Sequence, residues 1–193
     1  IFLSATIGTL VGLVSAFFGG WLDNLLMRLT DIGLSFPPIL MAIILAVTIG
    51  PSFSNVILVI ALLLWPRYAR QIRGEALVIK EQDFVLFANM AGTAPWRVML
   101  QHLLPNVLPT LFVMITLQVG YVIVLESSLS FLGVGIPPPT ASWGRMVAEG
   151  RGLLYTSWWL SMFPGLAILL TVLSLNLLGD WLRDRLDPKQ QAV

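Results

Sequence analysis

The sequence has no cysteine and a single histidine, His102. Disulfides and thiolate metal sites are therefore excluded, and the lone imidazole has no second ligand beside it. Charge is scarce as well: Asp, Glu, Lys and Arg make up 11% of the residues, well under the roughly 25% of an average soluble domain. Acids and bases nearly cancel to a net charge of +1, which argues against a nucleic-acid partner held by bulk electrostatics. Also missing are the Walker loop and the H-E-x-x-H, G-x-S-x-G and G-x-G-x-x-G patterns. Nucleotide hydrolysis and metal catalysis by this chain alone are not expected. No catalytic, cofactor-binding or metal-binding residue is assigned.

What abounds is apolar surface. The chain is 57% hydrophobic with a mean hydropathy of +0.87, more than a soluble core of this size hides, so lipid is the expected solvent. It opens at Ile1 inside an apolar run, with neither Met nor a charged leader. It therefore reads as an internal fragment, with at least one upstream span expected. The first visible span is Ile1 to Gly19, about 19 residues, enough to cross the roughly 30 Å hydrocarbon layer. Along it Ser4, Gly8, Gly12, Ala16 and Gly20 recur every four residues, a stripe of small side chains that lets another helix approach closely. Glycine is also simply common in membrane helices.

Trp21 to Phe36 sets Asp23, Arg28 and Asp31 against Leu22, Leu25, Leu26, Leu29 and Ile32, a helical period that predicts an interfacial amphipathic helix. Pro37-Pro38 breaks it and opens a span from Ile39 to Ile49, which Gly50-Pro51 ends. That run is short, so it needs Gly33 to Pro38 as part of its length or a small tilt. Phe53 to Pro66 forms the next crossing, Asn106 to about Leu125 another, and Trp158 to Leu178 the last. Pro109 falls in the first turns of its helix, where a missing donor is tolerated.

Orientation follows from charge. Residues 67 to 105 form the only long polar interruption and hold Arg67, Arg70, Arg73, Lys80 and Arg97. Short loops rich in Lys and Arg stay cytoplasmic, which places this loop inside and residues 133 to 157 outside. The outer segment carries Arg145 and Arg151, a mild exception. Asp180, Arg183, Asp184, Arg185, Asp187 and Lys189 follow the last span, so the C-terminus is expected inside, with Trp158-Trp159 and Trp181 as interfacial anchors.

Glu126 is the one acid within a long apolar run, a pathway or gating candidate by its chemistry. About 20 residues from Asn106 place it roughly 30 Å along its helix, near the outer interface, where its charge costs little. Local hydrogen bonding to Ser127, Ser128 or Ser130 is the plainer alternative. His102 reads either as a pH switch or as a solvated imidazole at the foot of a span. Asp180, one turn from Arg183, reads as a helical neighbour of that cation.

Within the inner loop, Phe84 to Ala91 fits a short helix with Phe84, Phe87, Ala88 and Ala91 on one face; Gly92 ends it and Pro95 blocks its extension. From Trp96 to Leu104 a second helix leads upward. The short helix is either a knob for a partner's groove or a surface bridge between two spans.

Arg67-Tyr68-Ala69-Arg70, the run Lys80 to Gly92 and His102-Leu103-Leu104-Pro105-Asn106 together resemble the cytoplasmic loop of permease subunits of binding-protein-dependent ABC importers. The likeness extends through Phe18-Gly19-Gly20-Trp21, Met27-Arg28, Ser130-Phe131-Leu132-Gly133, Pro137-Pro138-Pro139, Ser142-Trp143-Gly144, Phe163-Pro164-Gly165 and Asn176-Leu177-Leu178-Gly179-Asp180. It is similar to the dipeptide and oligopeptide group, most of all its C-type subunit.

The resemblance implies an all-α polytopic transmembrane bundle of the type I importer kind, one permease domain over residues 1–193, with about five spans visible and the first absent. Implied partners are a second, homologous permease subunit, two cytoplasmic ATPases that bind ATP and magnesium, and a periplasmic or extracellular solute-binding protein, all at a bacterial inner membrane. It implies transport of peptides by alternating access, without an ATPase site in this chain. It also makes Phe84, Phe87, Ala88, Asn89, Met90, Ala91, Gly92, Thr93 and Ala94 an ATPase-coupling segment. The family's Glu-Ala-Ala aligns with Leu86, Phe87 and Ala88, so its acid is lacking, while its glycine is kept as Gly92. Related permeases carry nickel complexes or glutathione, and outside the family a stand-alone channel or scaffold is the rival class.

Overall fold

Proline and glycine punctuate a chain that is otherwise free to coil into helix, and the breaks fall where they do. The computed structural model describes residues 1–186, the side chains of Arg183, Arg185 and Leu186 excepted. Asp187 and Lys189, read as part of the inner charge cluster, lie outside the described residues. Helices α1 (Phe2–Phe18), α2 (Gly20–Ser35), α3 (Pro38–Ile49), α4 (Phe53–Lys80) and α5 (Asp83–Met90) come first. Helix α6 (Pro95–Phe131) follows, then α7 (Trp143–Gly150), a 3-10 turn (Arg151–Leu153), α8 (Leu154–Ser157) and α9 (Trp159–Leu186). Among the described residues there is no strand.

The spans expected from sequence correspond to α1, α3, α4, α6 and α9, but they are not equal. Helices α4, α6 and α9 are long and apolar enough to cross a membrane. At 17 residues α1 is shorter, and α3 has only 12, about 18 Å at 1.5 Å per residue. Residues 33–38 do not lengthen α3 in line, because the axis turns by 92° between α2 and α3. Pro37 and Pro38 cause this: the residue before each proline is pushed out of the helical region, and Phe36 is extended at φ −93, ψ 143.

Pro66 behaves differently from the sequence expectation. Rather than closing a span it lies inside α4, fully buried, and the helix runs on to Lys80. Gly33 makes room for the ring, since a Cβ at that position would sit 2.9 Å from Pro66 Cγ. Pro105 and Pro109 are also absorbed, within α6. Just ahead of Pro105 the helix widens into a π turn over Met99–Leu103, and the Leu104 amide donates to the Met99 carbonyl. A wide turn relieves the clash between a proline ring and the carbonyl four residues earlier.

The chain forms two compact units. One comprises residues 2–36 and 63–115 of the described chain. In it Gly8 and Gly12 bring α1 against α4 so closely that a Cβ on Gly8 would lie 2.4 Å from Tyr68 Cβ, and one on Gly12 would lie 2.8 Å from the Ala69 carbonyl. Ser4 and Ala16 share this buried face. Gly20 does not: α1 has ended at Phe18, and Gly19 and Gly20 turn the chain with φ of 64° and 59°, values that favour glycine. On α2, Trp21, Leu25, Leu29 and Ile32 are exposed, whereas Thr30 is buried.

The other unit comprises Ile1, residues 37–62 and residues 116–185. The outer segment read as polar proves to contain α7, a helix the sequence reading lacked. Ser142 caps it by accepting from the Arg145 amide at 3.3 Å. Gly144 lets α7 approach α6, where a Cβ would meet the Ser127 carbonyl at 2.1 Å. Gly150 does the same against Ser161 of α9, whose hydroxyl donates to the Val147 carbonyl at 3.0 Å. Gly120 of α6 faces Asn176 and Val172 of α9.

The close approach at Gly12 predicts that Gly12→Leu lowers the stability of the purified protein by about 1–3 kcal/mol through overpacking. Gly74 lies on the same α4 with nothing near its Cβ position, so Gly74→Ala is expected to stabilise by about 0.5–1 kcal/mol. Thermal unfolding in detergent, followed by circular dichroism, reads both.

Candidate functional site

Helix α4 carries a row of bases at its C-terminal end, and the structure uses them one by one. Arg73 grips Asp23 of α2 through two parallel hydrogen bonds, Nε to Oδ1 and a terminal nitrogen to Oδ2, each 2.6 Å. This is the bidentate geometry in which a guanidinium holds a carboxylate most firmly. Ser15 of α1 donates its hydroxyl to the same Asp23 Oδ1. Seven residues beyond Arg73, Lys80 donates to the Ala16 and Phe17 carbonyls at 3.0 and 2.6 Å and lies over the Phe17 ring. It thereby satisfies bare carbonyls at the C-terminus of α1, where a cation is also favoured by the helix dipole. Arg70 pairs with Asp31 in a more exposed setting. Glu75 accepts from the Thr110 hydroxyl of α6 at 2.8 Å.

Two residues past α4, the chain turns into α5. Val85 is its fully buried anchor, Ala88 is half-buried, and Phe84 lies 6.1 Å from the His102 ring. Leu86, Phe87, Asn89 and Met90 are exposed, Phe87 by 67% and Met90 by 82%. Large apolar side chains grouped on one projecting helix mark a docking surface more often than chance. Helix α5 ends in a glycine-terminated motif of two bonds: the Thr93 amide donates to the Ala88 carbonyl at 3.1 Å and the Gly92 amide to the Asn89 carbonyl at 3.0 Å. Gly92 has a φ of +74°, which costs a side-chain-bearing residue about 1–2 kcal/mol. Ala91 is exposed, while Thr93 and Ala94 are half-buried and lead into Pro95, the first residue of α6.

His102 sits in the π turn, where its carbonyl accepts from the Asn106 side chain at 2.5 Å. Glu126, in the second unit, accepts from the Ser130 hydroxyl at 2.5 Å, one helical turn on. Among the described residues no cluster of three or more His, Asp or Glu side chains is arranged to hold a metal ion. The sequence reading did not find the Asp23–Arg73 pair or the Lys80 cap. Its one available signal was Asp23 itself, an acid next to the Gly19-Gly20 turn and close to the end of an apolar span.

Among the described residues the body is all-helical, with membrane-length apolar helices interrupted by a short apolar helix that follows the basic end of α4. The chain belongs to the family described as the binding-protein-dependent transport system inner membrane component, matched over residues 8–191. It is 45% identical over 187 residues to a protein of Brucella suis biovar 1 (strain 1330) named as a peptide transport system permease, covering 97% of this chain and 63% of that one. It is 43% identical over 189 residues to a protein of Escherichia coli O6:K15:H31 named as a glutathione transport system permease, covering 98% of this chain and 62% of the relative. The chain thus spans a little under two thirds of the length of these relatives.

The Asp23–Arg73 pair is largely shielded, with side-chain exposures of 16% and 30%. Removing one member strands the other, so Asp23→Asn and Arg73→Gln are each expected to cost about 2 kcal/mol. Arg73→Lys is expected to recover only part of this, because an ammonium cannot make the paired bonds. Unfolding midpoints of the detergent-purified variants measure the differences.

Proposed function

We propose that this chain is the transmembrane permease subunit of an ATP-driven importer, forming half of a translocation pathway for small peptides by alternating access. The chain provides pathway walls and a lever, and ATP with magnesium is bound and hydrolysed by two cytoplasmic partner subunits. A second, homologous permease completes the pathway, and a solute-binding protein delivers cargo at the outer face. In this reading residues 67–105 and the C-terminus are cytoplasmic and residues 133–157 lie outside. Relatives named for peptides and for glutathione support amide-linked amino-acid solutes as the cargo class.

The observation that carries the reading is the exposed apolar face of α5 beside a rigid mount. Phe87 and Met90 project from a helix whose ends are fixed by Gly92 and by the α4 terminus. A partner that closes on nucleotide would seize this knob, and the movement would enter α4 through the two-residue turn that joins it to α5.

A β-branched residue at Gly92 disfavours the positive φ and displaces the knob. In proteoliposomes holding the assembled importer, Gly92→Val is therefore expected to lower peptide uptake per ATP hydrolysed by roughly a factor of ten. ATPase subunits are expected to co-purify with the solubilised wild-type chain. Unchanged uptake and hydrolysis in the variant, or a fully expressed chain that purifies without ATPases, would overturn the proposal.

A further inference from the structure

We infer that the cleft around Glu126 and Trp143 is a subsite for a primary ammonium group, of the kind carried by the free amino terminus of a small peptide. This rests on the importer reading above and names what one part of the pathway holds. The cleft has a volume of about 430 Å³, is more open than enclosed, and is built within one unit by α6, α7 and the loop between them. That volume falls in the range of small-molecule sites.

Its lining is mostly apolar, with Val122 and Met146 among the walls, and its polar groups are Glu126, Ser127 and Ser142 with the Trp143 indole. Among the described residues no basic side chain lines it. The nearby cations are engaged elsewhere: Arg145 pairs with Glu149 at 2.7 Å, and Arg151 lies 5.5 Å from the centre of the Phe131 ring. Glu126 thus brings an acid to a mostly apolar cleft whose lining, among the described residues, holds no basic partner for it. A carboxylate in such surroundings gains most from a cation that arrives with its own hydrogen-bond donors.

Glu126 is also pre-positioned. Ser130 donates to its Oε1 at 2.5 Å and accepts in turn from the Ile136 amide at 3.3 Å, and Ile136 is itself a wall of the cleft. One carboxyl oxygen is fixed by this relay. Trp143, the first residue of α7 after the Ser142 cap, adds the aromatic side chain most favourable to a cation. An ammonium matches both groups; a carboxylate matches neither, and an acetylated amine keeps one neutral donor but has no charge for the acid or the indole. The adjoining cavity lined by Arg145 and Glu149 contrasts with this one, because its acid and base already satisfy each other.

The test uses the assembled complex in nanodiscs without its binding protein, so that selection by that protein does not enter. Dialanine and N-acetyl-dialanine are titrated while tryptophan emission is followed, and the Trp143 contribution is isolated by subtracting Trp143→Phe. Dialanine is expected to give a saturable change that the acetylated peptide lacks, and Glu126→Gln to weaken binding about tenfold or more. Equal responses to the two peptides in the wild type, or an unaltered titration in Glu126→Gln, would overturn the inference. Wild-type complex that imports dialanine in proteoliposomes yet shows either of those results removes the subsite alone; a complex with no ATP-dependent uptake removes the importer reading beneath it.

Discussion

The contact on which the first unit depends is the paired bond between Arg73 and Asp23. Close packing at Gly8 and Gly12 fixes how α1 meets α4, and a charged pair adds a directional constraint that packing lacks. A bidentate guanidinium–carboxylate pair has one satisfactory geometry, and here it is tightened by the Ser15 hydroxyl and flanked by Arg70 on Asp31. Lys80 adds a further restraint by closing the carbonyl end of α1. Charges taken partly out of water contribute less to net stability than to specifying one arrangement over its neighbours, and in this setting the arrangement is what matters. Helix α5 begins at Asp83, three residues after Lys80.

Small residues do the complementary work. Gly8 and Gly12 let α1 reach the backbone of α4, and Gly144 and Gly150 let α7 settle between Ser127 and Ser161. In lipid the hydrophobic effect does not drive helices together, so closeness of backbone contact has to. The consequence is a division of labour: glycine and serine set how near the helices come, and the scarce charges set their register. Large apolar side chains remain exposed on α2 and α5, where they form surface rather than the chain's own interior.

Much of this was legible in the residues. Helical content, the breaks at Pro37-Pro38 and Gly50-Pro51, the short helix before Gly92 and the resemblance to importer permeases all rest on local sterics, on periodicity or on motif order. Other features were not. Pro66 looks like a helix end by its own chemistry, yet the helix runs through it, with Gly33 leaving room for its ring. The helix from Trp143 to Gly150 was obscured by the prolines and glycines around it, although Ser142 is an ordinary cap. Glu126 stood out as a lone acid, and its choice of Ser130 over Ser127 and Ser128 follows from the four-residue helical spacing; what the residues did not record is the loop that brings the Ile136 amide to the same hydroxyl.

By itself the sequence determined that this is a helical chain with apolar helices of membrane-spanning length, and roughly where most of its helices start. Those properties arise from interactions spanning a few residues, which periodicity and composition record directly. Tertiary structure alone decided that Asp23 meets Arg73, fifty positions away, that α3 turns through 92° from α2, and that an acid, two serines and a tryptophan share one cleft. A pairing across that distance depends on how every intervening helix packs, and the side chains that meet carry no local mark of their partners.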